Sequence, residues 1–326
     1  MKKLVSKTYF VVLCWNNRDL LEECFNTIYN QTSENYSIIC VDNGSTDGSI
    51  DYIKKNHPSV TLIENGKNDG FAIGNNIGIR KALENKDCRY LALLNTDARL
   101  GKDWLEELVA FADQHPKGAG FQSPTVDYYD HSVLDSYGIV IDHQGRAMQL
   151  GYRAPISKLK TKQVFGVNAA ACLYSRAFLE AQPFKDDYFD SDLWMYLEDV
   201  DLAARASVMN WENWFVAKSL AYHMGSASSG KNPGFSVYMI YRNNLPLLIK
   251  NLPMDILLKA IPGVIATDIM TMWNLAKSRN LLALKALLKG RLVGFSLIPL
   301  FIRKRHLLKK VRKVSSSQLS ALMKTR

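Results

Sequence analysis

Five groups of residues have the types and spacing to do chemistry on a charged, oxygen-rich substrate. Asn95-Thr96-Asp97 follows directly on the apolar run Tyr90–Leu94. A carboxylate at a strand end can hold a hard divalent cation against a diphosphate, since such ions usually bind one or two carboxylates plus phosphate oxygens. Read alone, the tripeptide is equally a strand-ending turn. Leu197-Glu198-Asp199-Val200-Asp201 crowds three acids together. Crowding of this kind can raise one pKa enough for base catalysis. The alternative is a helix N-terminus whose dipole welcomes acids, although the flanking Trp194, Met195 and Tyr196 point to partial burial. Asp42 opens the turn-rich Asp42–Gly48 segment, where it can accept from a nucleobase N–H or a ribose hydroxyl, or simply serve the turn. The loop Asn68–Asn76 contains GxxxG but neither GxGxxG nor a GK[ST] ending, which makes dinucleotide and P-loop readings poor. His223, after the apolar run Trp214–Ala221, is either structural or a ligand.

Stepping from these residues to what must position them, strands are expected at Tyr9–Cys14, Ser37–Val41, Val60–Glu64 and Tyr90–Leu94. Helical patterns fall between and after them at Leu20–Gln31, Ser49–Asn56, the segment reaching Leu83, and Trp104–Gln114. That alternation predicts a mostly parallel, doubly wound sheet. Ligands bind beyond the C-terminal strand ends of such sheets, and the polar clusters of this half lie there. The pattern loosens over Asp127–Lys162, which reads as strands and loops without firm boundaries. Short helices are expected at Arg176–Ala181 and after Glu198.

The 326 residues, 47% hydrophobic and 22% charged, suit a globular α/β domain with an appendage. Five scattered cysteines form no CxxC pair, which fits a reducing compartment without disulfides. The lysines and short apolar run at the N-terminus read as a first core strand and not as a signal peptide. The net charge of +10 is uneven: sixteen Lys/Arg and two acids fall between Lys250 and Arg326, against twenty-five and twenty-nine before them. A basic tail therefore follows a mildly acidic body.

Read in order, VVLCWNNRDLLEECFNTIYNQT, VDNGSTDGS, NDGFAIGNNIGIRKAL, LLNTD, GVNAAACLYSR, YLEDVDLAAR and YHMGSAS resemble the family 2 glycosyltransferases. The resemblance spans roughly Tyr9–Asn244. It is strongest toward the branch that includes rhamnosyltransferases and galactofuranosyltransferases of bacterial surface polysaccharides. It implies a GT-A fold: an α/β, Rossmann-like, mostly parallel sheet with flanking helices over residues 1–250, with a basic helical appendage over 251–326. It also implies an inverting transfer from a nucleotide diphosphate sugar, with Mg²⁺ or Mn²⁺ as cofactor. Asp199 matches the catalytic base. Asp97 and His223 match the metal shell, Asn95 replacing the first acid of the family's Asp-x-Asp motif. Asp42 matches the acid that contacts the nucleotide. Asn16, Asn43, Gly70, Asn75 and Asn76 join Asn95 and Asp97 as donor-pocket candidates, while Glu198 and Asp201 would tune Asp199 or bind the acceptor. The donor is expected to be dTDP-rhamnose or a UDP-sugar, the acceptor a glycan or a polyprenyl-diphosphate-linked sugar. Asn95 also motivates an alternative, a catalytically silent scaffold that binds a sugar nucleotide or glycan.

In the tail, charged residues interrupt each apolar stretch before the roughly 18–20 residues of a spanning helix are reached. Leu281–Leu288 and Arg303–Lys310 read as in-plane amphipathic helices on an anionic membrane surface, which would place the protein on the cytoplasmic face of the cell membrane. The competing reading is a charged face on helices that pack on the body or form a homodimer. An acidic body without a recognisable module argues against nucleic acid.

Overall fold

The computed structural model describes residues 7–157, 159–225 and 233–323. The first lysines and the end of the motif that begins at Tyr222 lie outside the described residues. The N-terminal half alternates β1 (Lys7–Cys14), α1 (Arg18–Tyr29), β2 (Tyr36–Asp42), α2 (Ser49–Asn56), β3 (Thr61–Glu64), α3 (Gly70–Leu83) and β4 (Cys88–Asn95). There follow β5 (Ala98–Leu100), α4 (Trp104–Asp113), β6 (Gly118–Gln122), β7 (Thr125–Asp127), β8 (Leu134–Ser136), β9 (Ile139–Ile141) and β10 (Ala147–Gln149). Next come β11 (Lys162–Val164), β12 (Ala171–Ser175), α5 (Arg176–Glu180), α6 (Glu198–Val208), β13 (Glu212–Phe215) and β14 (Ala221–His223). The region after Phe121 thus resolves into short strands that period-2 patterning was too brief to mark.

The main sheet has the order β11-β13-β6-β12-β4-β1-β2-β3. β4, β1, β2 and β3 are parallel, whereas β12 inserts antiparallel between β4 and β6. Alternate residues of β1 feed different cores: Phe10 and Val12 pack with Phe25 and Trp104, Val11 with Ile79 and Leu93 on the other face. Burial on both faces explains why these strands read as continuous apolar runs. Register then fixes the site. Cys14 lies opposite Asp42 and Leu13 opposite Asn95, so the loops leaving β1, β2 and β4 share one edge. On α3, Gly74 and Gly78 let the helix sit against the sheet; a Cβ there would meet Leu13 and Val11 side chains at 2.4 Å.

A second sheet, β5-β14-β7-β8, is built from segments far apart in the chain. It pairs His223 with Ala98, the neighbour of Asp97, and brings β8 alongside through β7.

Four helices complete the described residues: α7 (Pro233–Asn251), α8 (Met254–Lys277), α9 (Leu281–Val311) and α10 (Ser316–Leu322). α7 and α9 approach closely because Gly290 and Gly294 face the Tyr238 and Arg242 carbonyls, where a Cβ would lie 2.5 and 2.7 Å away. A third core joins Ile139–Ile141, Val200 and Ala204 of the body to Leu247, Leu252, Phe301, Leu308 and Leu319. The division expected at 250/251 therefore cuts the last turn of α7 and runs through continuous packing. The tail also departs from expectation in α8, a 24-residue helix long and apolar enough to cross a membrane by length and composition, with mean hydropathy 1.4 over its best window. One of its interrupting charges, Asp268, is met by Arg291 of α9 through two bonds of 2.6 and 2.7 Å.

Candidate active site

The shared edge of β1, β2 and β4 opens into a cleft of about 460 Å³, lined among others by Asn43, Gly70, Asn95, Asp97, Glu198, Asp199 and His223. Residues separated by up to 180 positions thus meet, because α6 and β14 both return to that edge.

The cation-binding candidates sit together. His223 Nε2 lies 3.5 Å from Asp97 Oδ1, and its Nδ1 lies 3.0 Å from Asp135 Oδ2. A carboxylate on one ring nitrogen fixes the ring so that the other faces the site, the usual arrangement behind a metal-binding histidine. Burial opposes the imidazolium, but its hydrogen bonds to Asp135 and Asp97 outweigh it and push His223 up to about 10, so a cation bound at the ring must displace that proton. No cluster of three His, Cys, Asp or Glu suited to a metal occurs among the described residues. One carboxylate and one imidazole nonetheless fit an ion that completes its shell with diphosphate oxygens and water. Asp135 was not legible in the sequence, since it lies in the loosely patterned stretch and only β8 brings it beneath His223.

Asp42 is fully buried at the end of β2. Its Oδ1 accepts the Gly44 and Ser45 N–H groups at 3.1 and 2.9 Å, while Oδ2 has no partner among the described residues. A buried acceptor left without a donor is costly unless a ligand supplies one. Asn43 holds the neighbouring loop by donating to Asn68 Oδ1 and the Gly70 carbonyl, both at 3.1 Å. Asn17, passed over in the sequence, lines the cleft and donates to Thr96 Oγ1 at 2.9 Å.

Three donor-pocket expectations need correction, because the side chains are occupied away from the cleft. Asn16 accepts the Thr46 N–H at 2.8 Å and pins the turn after β2. Asn75 donates back to the Phe71 carbonyl at 3.0 Å within α3. Asn76 clasps Phe189, donating to its carbonyl at 2.7 Å and accepting its N–H at 2.8 Å.

Asp199 lies in the first turn of α6, where its Oδ1 accepts the Val200 N–H at 2.7 Å. Burial pushes its pKa up to about 6. Glu198 is buried with Oε2 unpartnered among the described residues, and burial plus the Asp199 charge raise it well above the carboxylate range. Burial raises both carboxyls, and the adjacent pair titrates as one unit. Asp201, expected to touch acceptor, is instead fully buried behind the cleft. Its carboxylate meets Arg205 Nε and Lys250 Nζ at 2.9 Å and Asn251 Nδ2 at 2.7 Å.

The segment feeding α6 is bent into an unusual shape. Trp194, Tyr196 and Leu197 have φ of 64°, 66° and 71°. Each such residue costs on the order of 1–3 kcal/mol and persists only where its surroundings hold it. Gly70 makes room for this segment, since a Cβ there would lie 2.6 Å from the Trp194 ring.

A mostly parallel sheet with acids, amides and a histidine at its C-terminal edge fits the GT-A architecture. The model of the glycosyl transferase family 2 matches residues 9–181, and the chain belongs to that family. It is 26% identical over 223 residues to an N-acetylglucosaminyl-diphospho-decaprenol L-rhamnosyltransferase of Mycobacterium tuberculosis, covering 62% of this chain and 71% of that one. It is 32% identical over 114 residues to a poly(ribitol-phosphate) beta-glucosyltransferase of Bacillus spizizenii, covering 33% of this chain but only 18% of that enzyme's length. A mannosyltransferase from Pyrobaculum calidifontis, solved with GDP-Man and Mn²⁺, shares the fold at a TM-score of 0.52 and 16% identity, over 94% of this chain and 85% of that one.

Proposed function

We propose that this glycosyltransferase inverts the donor's anomeric centre, moving a sugar from a nucleoside diphosphate onto a hydroxyl of a glycan or lipid-linked acceptor in cell-surface polysaccharide synthesis. The observation that carries the reading is Asp199, an acid with its pKa lifted to about 6, in one cleft with Asp97 and His223. A base poised near the working pH is the efficient one. Asp199 takes the acceptor hydroxyl proton as that oxygen bonds to the anomeric carbon and the carbon–phosphate-oxygen bond breaks. Asp42 accepts from the nucleotide through its unpartnered oxygen. Asp97 and His223 would hold Mg²⁺ or Mn²⁺, which supplies Lewis-acid stabilisation of the departing diphosphate. The Mn²⁺ in the Pyrobaculum enzyme supports a divalent ion. The Mycobacterium relative's name supports a rhamnose donor as the first to try and a polyprenyl-diphosphate-linked acceptor. Asn43, Gly70 and Asn95 would line the donor side of the cleft, and Glu198 the acceptor side.

The tail supports docking on the cytoplasmic membrane face. Leu258 and Trp273 of α8 and Leu292 of α9 are 64%, 70% and 69% exposed, among lysines and arginines. Such a surface suits an anionic bilayer carrying a lipid-linked acceptor.

The test is a screen of nucleoside diphosphate release and binding across dTDP-, UDP- and GDP-sugars, with Mn²⁺, Mg²⁺ or EDTA. Metal-dependent turnover of one donor is expected. A folded protein that binds no donor would leave the silent scaffold as the reading. Co-flotation with phosphatidylglycerol vesicles, lost in high salt, is the matching result for the tail.

A further inference from the structure

Among the described residues, α7 grips the bent segment before Asp199 from one side, chiefly through the buried amide of Asn243, with Arg242 Nη1 also donating to the Leu193 carbonyl at 3.4 Å. Asn243 is fully buried, and its Nδ2 lies 2.8, 2.9 and 2.8 Å from the carbonyls of Leu193, Met195 and Tyr196. Two amide hydrogens are thus shared among three acceptors on consecutive bends. Arg242 Nη1 orients that amide by donating to Asn243 Oδ1 at 2.6 Å. On the far side the Ala72 N–H donates to the Trp194 carbonyl at 3.0 Å. α7 is itself held at this level by α9, since Arg291 Nη1 donates to the Tyr241 carbonyl at 3.1 Å and Gly294 faces the Arg242 carbonyl.

Resting on the reading of Asp199 as base, we propose that Asn243 is a positioning residue for it, holding residues 193–197 in the left-handed bends that deliver α6 and its first turn to the cleft. The physical need is plain. Three positive-φ residues within four positions, Trp194, Tyr196 and Leu197, lie above the relaxed backbone in energy, so without the donor shared by the carbonyls around them the segment moves toward ordinary φ and α6 starts elsewhere. The base then loses its alignment and part of its desolvation. Asn243 lies well beyond the 9–181 segment that matches the family model. On this view the C-terminal helices are part of the catalytic apparatus and not only an appendage.

The experiment compares Asn243→Ala, Arg242→Gln and Asp199→Asn in the full chain. It measures UDP and dTDP affinity with Mn²⁺ by calorimetry, turnover of the donor active in wild type, and hydrogen exchange over 190–201. For Asn243→Ala the expected result is a fall of about 10- to 100-fold in kcat, as for a base misplaced by an ångström. Nucleotide affinity should stay within about threefold, and exchange over 193–199 should be faster. The acid limb of the pH profile should move down from about 6 as Asp199 is rehydrated beside Glu198, Cys172 and Tyr174. Arg242→Gln should show the same pattern more weakly, and it decides the matter if Asn243→Ala does not fold. A folded variant with wild-type kcat, or one whose nucleotide affinity falls in step with kcat, overturns the inference. Retained turnover in Asp199→Asn would instead overturn the base assignment itself.

Discussion

At the scale of single residues, Asp199 and Asp135 each make a distinct prediction. Asp199→Asn should lower transfer by about 10²- to 10⁴-fold, the range for losing a general base. In the wild type, kcat/KM should rise with pH through a midpoint near 6. Stability should run the other way. A carboxyl whose folded pKa exceeds its unfolded value of 3.8 binds more protons when folded, so stability falls as pH rises from about 4 to about 6. Asn at 199 removes that loss, and chemical denaturation at pH 8 should find the variant more stable by roughly 1–3 kcal/mol, with no gain at pH 3.5. Asp135→Ala should leave turnover chemistry in place but weaken Mn²⁺ binding by about 10- to 100-fold, read by calorimetry in the presence of UDP, because His223 loses the partner that orients it.

At the scale of elements, the site depends on how closely α3 and the segment before α6 meet. Gly70 has φ +82° and no room for a Cβ against the Trp194 ring. Gly70→Ala should therefore cost both backbone strain and a displaced Trp194, about 1–3 kcal/mol in total. Nucleotide affinity should fall with it, since Gly70 lines the cleft; a melting temperature equal to wild type would contradict this. Much of the element pattern was legible in the sequence. The first four strands, the N-terminal half-helices and the acids at their ends follow from long apolar periodicity and turn residues. The short strands β5, β7, β8 and β14 were not legible, because three residues carry no usable period. Yet these strands are what bring Asp97, Asp135 and His223 together.

Across the whole molecule, a buried network ties the body to the tail. Lys250 of α7 bonds Asp190 and Asp201, and Lys304 of α9 bonds Asp190 and Asp192. Burial works against the Asp190 charge, but these two lysines hold its pKa below the usual range. Lys250→Met should cost about 3–5 kcal/mol in urea unfolding, because it strands buried carboxylates rather than merely deleting a contact. A loss under 1 kcal/mol would mean that water or Lys304 already serves them. The same network explains why Asp201, although one of three acids within four positions, does not serve the acceptor.

The sequence alone determined the alternating α/β order, the family motifs and the positions of Asp42, Asp97 and Asp199 at strand and helix ends. These follow from local periodicity and turn chemistry, which neighbouring residues dictate to one another. Tertiary structure decided what local pattern cannot carry. It tied Asn16 to the turn after β2, turned Asn75, Asn76 and Asp201 inward to satisfy the chain's own polar groups, and added Asn17, Asp135 and Asn243. It also bound the C-terminal helices to the catalytic edge. Which donor meets which acceptor across 50 or more residues depends on register and packing, and these exist only once the sheets and helices have closed on one another.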